Sequence, residues 1–209
     1  MIKILLVDDH IIVRKGIKQL LEDSEDIRVV SEAGTAEEMF KIINKQDFDV
    51  VILDISLPGR SGVEALKQLK SSFPELPVLI LSMHPESQYA LRVMKSGAMG
   101  YLTKDSVPEE LIKAIHKVNK GKKYISTNLA EELANFLNDN IDKLPHQTLT
   151  DREYEVLLKI AEGKSLTGIA QTLSLSVKTI STYRSRILKK MNMKSNSELI
   201  KYAMEHHLF

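Results

Sequence analysis

With 209 residues, 43% hydrophobic and 27% charged, the chain has material for one large or two small globular domains. It has no cysteine, which excludes disulfide, thiolate-metal and cysteine-nucleophile chemistry. Its apolar runs are too short for a membrane span, and its opening Met1-Ile2-Lys3-Ile4-Leu5-Leu6 lacks a signal peptide's layout, so a cytoplasmic protein without a membrane partner is expected. The formal charge of +1 hides an asymmetry: residues 1–120 carry 16 Lys and Arg against 18 Asp and Glu, and residues 121–209 carry 13 against 10. The stretch 178–194 holds six basic residues and no acid, which points to a polyanion partner.

Strand and helix signals alternate through the first 120 residues. Strands are expected at 2–7, 28–33, 49–53, 77–82 and 100–103. Helices are expected at 11–21, after Thr35-Ala36-Glu37-Glu38 to 44, after Ser61-Gly62-Val63-Glu64 to 71, at 86–95 before Gly97, and after Ser106-Val107-Pro108-Glu109 to 119. Three of these openings read as capping boxes. The interleaving predicts an α/β domain over 1–120, a flavodoxin-like five-stranded parallel sheet with helices on both faces. The pattern loosens over 121–147, where 127–137 reads as a short helix and 138–145 as a polar linker. Residues 148–209 are helical throughout. The Thr150-Asp151-Arg152-Glu153 box opens a helix ended by Gly163, followed by short and long helices at 166–173 and 177–191 and a last one after Ser195-Asn196-Ser197-Glu198. A short helix, the turn Ser174-Leu175-Ser176 and a basic helix make a smaller, all-α helix-turn-helix domain.

A parallel sheet delivers the carboxyl ends of its strands to one rim, and here they carry chemistry. The first strand ends in Asp8-Asp9, the third in Asp54, the fourth in Ser82 and the fifth in Thr103-Lys104. Each acid alone reads most simply as a loop or cap residue. Together the carboxylates would repel one another without a cation, and hard oxygen ligands suit Mg²⁺. Lys104 supplies a second positive charge. Carboxylate, metal and Lys are what phosphoryl transfer needs, so Asp54 is the candidate phosphate acceptor.

These residues resemble the receiver domain of bacterial response regulators. The resemblance rests on Val7-Asp8-Asp9-His10, Asp54-Ile55-Ser56-Leu57-Pro58-Gly59 with Gly62, Leu81-Ser82, and Gly100-Tyr101-Leu102-Thr103-Lys104-Asp105. It implies that Asp54 takes phosphate from a sensor histidine kinase's phosphohistidine. Asp8, Asp9, Asp54 and the backbone carbonyl of Ser56 would hold Mg²⁺, Lys104 would contact the phosphoryl group, Ser82 would bond to it in the active state, and Tyr101 would change rotamer. His10 is expected to be a helix-start residue, His84 a surface loop residue, and His206-His207 solvated.

On the basic helix, Val177, Ile180, Ile187, Leu188 and Met191 form a stripe expected to face the domain core. Lys178, Thr182, Ser185, Arg186 and Lys189 lie opposite, with Ser181 at the edge. Short polar residues among cations suit a major groove, so double-stranded DNA is the expected partner, read by Lys178, Thr179, Ser181, Thr182, Ser185, Arg186 and Lys189. Arg184 falls beside the apolar stripe, either reaching a phosphate sideways or packing its stem. The domain also resembles the LuxR-type domain that ends NarL/FixJ response regulators, through Leu149-Thr150-Asp151-Arg152-Glu153, Ile160-Ala161-Glu162-Gly163-Lys164-Ser165, Ser176-Val177-Lys178-Thr179-Ile180 and Leu188-Lys189-Lys190-Met191. Leu166, Gly168, Tyr183 and Arg184 depart from the usual pattern. By this resemblance part of the last helix, Leu199 and Ala203, pairs with a second copy, so the active form is a homodimer on an inverted repeat.

The expectation is a two-component transcription regulator, switched at Asp54, with no metabolic enzyme activity. A Mg²⁺-dependent phosphohydrolase is the enzymatic rival, but such enzymes of the haloacid-dehalogenase type place a second acid where Ser56 stands. A constitutive DNA-binding protein with a passive first domain is the other rival, and the full acidic set argues against it.

Overall fold

Val50, Val51, Ile52 and Leu53 are all fully buried, as an unbroken apolar run must be when helices cover both faces of its sheet. In a computed structural model, which describes residues 1–126, 129–130, 144–206 and 208, this run lies in the central strand of a five-stranded sheet. The strands are β1 (Ile2–Val7), β2 (Ile27–Ala33), β3 (Val50–Asp54), β4 (Val78–Ser82) and β5 (Gly100–Thr103), in the order β2-β1-β3-β4-β5. All neighbours pair in parallel, the doubly wound arrangement expected. Helices α1 (Ile11–Glu22), α2 (Ala36–Ile43), α3 (Gly62–Ser72), α4 (Glu86–Lys95) and α5 (Val107–Asn119) connect and follow them. Ile17 and Leu21 of α1 and Leu111, Ile115 and Val118 of α5 pack with Ile4, Leu6, Ile52, Leu79 and Leu81 on one face. The alternate residues Leu5, Val7, Val51, Leu53 and Ile80 point to the other face and are equally buried.

Two local devices shape the rim. β3 runs one residue beyond its expected end, because Asp54 stays in register with Leu81 of β4. Gly62 then begins α3 against the end of β3: a Cβ there would lie 2.0 Å from the Asp54 carbonyl oxygen. Only glycine allows the approach, and its amide donates to Ile55 O at 2.8 Å.

The capping expectations divide. Thr35 and Ser61 accept from the amides of Glu38 and Glu64 as N-caps should. Glu38 reaches back to the Gly34 amide rather than to Thr35. Ser106 is not a side-chain cap: it sits in a 3-10 turn, Lys104–Ser106, and its hydroxyl donates to Thr103 O at 2.9 Å. Pro108 and the turn start α5 in its place.

The chain forms two compact units, residues 1–133 and 134–209. The second contains α6 (Asp151–Ala161), α7 (Leu166–Thr172), α8 (Val177–Lys190) and α9 (Asn196–Glu205). Thr150 and Glu153 complete the reciprocal capping box, with bonds of 3.3 and 2.8 Å, and Gly163 ends the helix with φ near 79°. α6 packs on both α8 and α9, and α7 packs on α8. Of the helix expected at 127–137 only residues 129–130 are described, both helical, and nearly all of the expected linker at 138–145 lies outside the described residues. Among the described residues no helix is long and apolar enough to cross a membrane.

Candidate functional site

The parallel register brings the rim residues together. Asp8 and Asp54 are buried side by side at the ends of neighbouring strands, with exposures of 0% and 1%. Lys104, just after β5, spans them: its Nζ lies 2.7 Å from Asp8 Oδ2 and 2.8 Å from Asp54 Oδ2. The other oxygen of Asp54 accepts from the Ser56 amide at 3.1 Å, and that of Asp8 accepts from the His10 amide at 2.8 Å. Asp9 is half-buried and meets the His10 ring, Oδ1 to Nδ1, at 2.7 Å. His10 does precede α1 as expected, yet its ring comes nearer the acids than a helix-start role requires.

Burial pushes the Asp54 carboxyl above its ordinary value, with the Asp8 carboxylate adding to this and the Lys104 charge opposing it. For Lys104 burial works against the charge, but Asp54 and Asp8 outweigh it and hold the ammonium above its usual range. Lys104 thus supplies one positive charge to this pair of carboxylates. Asp8 Oδ2 and Asp9 Oδ1 are buried without an aligned hydrogen bond, meeting Lys104 and His10 as ion contacts only. Ligand atoms of Asp8, Asp9, His10 and Asp54 all lie within 4.8 Å of one another. Clustered carboxylate oxygens of this kind fit a small hard divalent cation.

Ser82 and Tyr101 occupy the neighbouring strands and are both buried. They share a partner in the backbone of His84: its amide donates to Ser82 Oγ at 3.0 Å, and its carbonyl accepts from the Tyr101 hydroxyl at 2.7 Å. The His84 ring is no plain surface group, since it stacks on Tyr89 of α4 at 5.1 Å between centroids. Arg14 on α1 is another residue the sequence did not single out. Its Nη1 donates to the Asp8 carbonyl at 2.6 Å while Nε bonds to Glu32 at 3.1 Å, bracing the turn that carries both acids. Its position one helical turn after Asp9-His10 was the available signal.

On α8, Lys178, Ser181, Thr182, Ser185, Arg186 and Lys189 are exposed and Thr179 is half-buried. Ser176, Lys178, Thr179, Thr182, Tyr183 and Arg186 line an open depression of about 310 Å³. The hydroxyls of Thr182 and Ser185 donate to the carbonyls of Lys178 and Ser181, each at 3.0 Å. Arg184 Nε donates to Asn196 Oδ1 of α9 at 2.6 Å, tying the two helices together. Ile180, Ile187 and Met191 face the core as expected. Val177, in the first turn of α8, does not: it is 44% exposed, and Leu188 is only half-buried.

The dimerisation expectation for Leu199 and Ala203 needs correcting. Both are fully buried, filling the core of the helical unit where α9 lies on α6. The outward residues are one position further on. Half-buried Ile200 and Met204, 61% exposed, line an open groove of about 490 Å³ with Ser197, Lys201 and Glu205. His206 is exposed and stacks on Tyr202 at 4.1 Å between centroids, and His207 lies outside the described residues.

Residues 4–116 match the family model of the response regulator receiver domain, and residues 147–203 match that of bacterial regulatory proteins of the luxR family. The chain belongs to the NarL/FixJ family of response regulators. Relatives of this response regulator align along their whole length. It is 37% identical to response regulator UvrY of Escherichia coli K12 over 209 residues, covering 100% of this chain and 96% of that one. It is 38% identical to the oxygen regulatory protein NreC of Staphylococcus epidermidis over 214 residues, covering 99% and 98%. Among solved structures, RcsB from Salmonella enterica serovar Typhimurium, bound to promoter rprA in the presence of a phosphomimetic, is similar with a TM-score of 0.66 and 29% identity, covering 97% of this chain and 98% of that one. A receiver joined to a LuxR-type DNA-binding domain makes this response regulator a transcription regulator, a regulatory rather than a metabolic class of protein.

Proposed function

We propose that this response regulator is switched by phosphorylation of Asp54, and that residues 1–120 receive the phosphate, 121–147 link, and 148–209 bind DNA. The observation that carries the reading is the Lys104 ammonium set between the Asp8 and Asp54 carboxylates, a charge arrangement that a phosphoryl group can rearrange. A carboxylate oxygen of Asp54 forms the O–P bond as the N–P bond of a sensor kinase's phosphohistidine breaks. The imidazole leaves with the electron pair and takes a proton from solvent. Asp8, Asp9, Asp54 and the Ser56 carbonyl would hold Mg²⁺, which neutralises charge on the carboxylates and phosphoryl oxygens. Lys104 turns to the phosphoryl oxygens, and Arg14 keeps the Asp8-Asp9 turn in place.

The new oxygens then draw the Ser82 hydroxyl. That removes the acceptor of the His84 amide and disturbs the carbonyl that anchors Tyr101, shifting a pre-existing equilibrium of the face made by α4, β5 and α5. In the cytoplasm the output is a homodimer on an inverted repeat. Lys178, Thr179, Ser181, Thr182, Ser185, Arg186 and Lys189 would meet the major groove and its phosphates. Ile200 and Met204 would pair across the two-fold axis, flanked by Lys201 and Glu205, whose opposite charges suit an antiparallel approach. Incubation with Mg²⁺ and a small acyl phosphate should add one phosphate to the wild type and none to Asp54→Asn. Equal labelling of the two refutes the assignment of Asp54.

A further inference from the structure

His10 stands beside the acidic pair with its side chain uncommitted to the helix that follows. It is the N-cap residue of α1, in an extended conformation, yet its side chain makes no capping hydrogen bond. Its backbone is fixed from both sides: the amide donates to Asp8 Oδ1 at 2.8 Å, and the carbonyl accepts from the Arg14 amide at 3.1 Å. The ring lies back over the rim, with Nδ1 at 2.7 Å from Asp9 Oδ1 and 3.4 Å from Asp8 Oδ1.

The 2.7 Å contact has hydrogen-bond length, but Asp9 Oδ1 is a buried oxygen with no aligned donor. The same holds for Asp8 Oδ2, on a side chain fully shut off from solvent, which meets the Lys104 ammonium as an ion contact. A ring nitrogen and carboxylate oxygens that converge without a proton on the line between them suit a shared cation. The spacing fits as well. Ligands about 2.1 Å from a divalent ion stand roughly 3 Å apart when adjacent and roughly 4.2 Å apart when opposite. The two His10 contacts bracket the first separation. One ligand atom from each of Asp8, Asp9, His10 and Asp54 lies within 4.8 Å of every other, which small side-chain rotations bring into one coordination sphere. The His10 side chain is 61% exposed, so an ion reaches the imidazole directly from solvent.

We propose that His10 Nδ1 joins Asp8, Asp9 and Asp54 as a metal ligand, and that the rim thereby selects a first-row transition divalent cation over Mg²⁺. Mg²⁺ is served by the oxygen ligands alone, whereas imidazole adds a nitrogen donor that transition ions bind more strongly. This rests on the reading of the rim as a metal site, and adds the class of ion and the ligand that sets it.

The test measures Co²⁺ and Mg²⁺ binding to the full chain by equilibrium dialysis, with the visible spectrum of bound Co²⁺ as a report of nitrogen against oxygen ligation. Wild type should hold Co²⁺ at least about tenfold more tightly than Mg²⁺. His10→Gln should lower the Co²⁺ affinity at least about tenfold, since even an outer partner of a metal ligand is worth that much, and the Mg²⁺ affinity less than about threefold. It should also change the Co²⁺ spectrum. Asp9→Asn should weaken both ions, which places Co²⁺ at the rim and not on the chain's other imidazoles. Equal losses of both ions in His10→Gln, which would make His10 only a partner of Asp9, overturn the proposal, as does loss of neither. Co²⁺ binding untouched by Asp9→Asn overturns it too. A wild type that binds Co²⁺ through His10 and Asp9 but takes no Mg²⁺ upholds the proposal and fails the Mg²⁺ reading. Asp9-dependent Mg²⁺ binding without a His10-dependent preference for Co²⁺ fails the proposal alone, and a wild type that binds neither ion fails both.

Discussion

The receiver rim and the outer face of α8 are both polar and charged, yet their physics is opposite. At the rim, Asp8 and Asp54 are sealed from solvent, and each is held within 2.8 Å of one ammonium. On α8 the cations stand in water, and the hydroxyls of Thr182 and Ser185 bond back to their own helix. Charge buried in a low-dielectric setting responds strongly to one added group, because nothing nearby screens it. Charge in water responds weakly to any single partner and acts by numbers, through counterion release on a polyanion. The first arrangement suits an input that must be all-or-none, and the second an output that must scan many sites.

That contrast predicts unequal effects for charge removal. Lys104→Met should slow labelling of Asp54 by about 100-fold, the scale seen when one preorganised charge-stabilising donor is lost. An effect under threefold, from phosphorylation time courses at saturating Mg²⁺, would put the ammonium outside the chemistry. Gly62→Ala tests how tightly the buried rim is built. The clash with the Asp54 carbonyl should cost about 1–3 kcal/mol, read as a lower urea midpoint for the receiver transition. On the exposed side, Lys189→Ala should weaken binding to all duplexes alike and flatten the slope of log affinity against log salt by about 1. Thr182→Ala should instead change which sequences are selected, and an unchanged preference would mean that α8 meets DNA in a different register. The smallest effect belongs to Gly168. It is an ordinary third residue of α7 whose added Cβ would meet only Ser165 Oγ at 3.4 Å, so Gly168→Ala should stabilise the domain by about 0.5–1 kcal/mol in thermal melts.

The rim was legible in the sequence because topology does the assembling. Once five strands are parallel and wound in this order, Asp8, Asp54, Ser82 and Lys104 have to share an edge, whatever the packing detail. The Thr150-Glu153 box was legible for a similar reason, since both of its partners lie within one turn. What escaped depends on contacts between distant elements or on backbone groups. Arg14 matters through the Asp8 carbonyl, and His84 through its amide and carbonyl, so residue type carried no signal for either role. Ser106 has a cap's sequence, but the 3-10 turn after Lys104 turns its hydroxyl back to Thr103. On α9, a stripe of Leu199, Ile200, Ala203 and Met204 is too broad for periodicity to say which half faces inward. Packing against α6 settles it: Leu199 and Ala203 inward, Met204 outward.

The central claim is that a charge change at the buried rim alters what the exposed helix does. Titration of the selected duplex with full-length protein, with and without acyl phosphate and Mg²⁺, tests it most directly when wild type and Asp54→Asn are run side by side. The phosphodonor should tighten binding by the wild type and leave Asp54→Asn unchanged. Equal tightening of both proteins, or of neither, would contradict it.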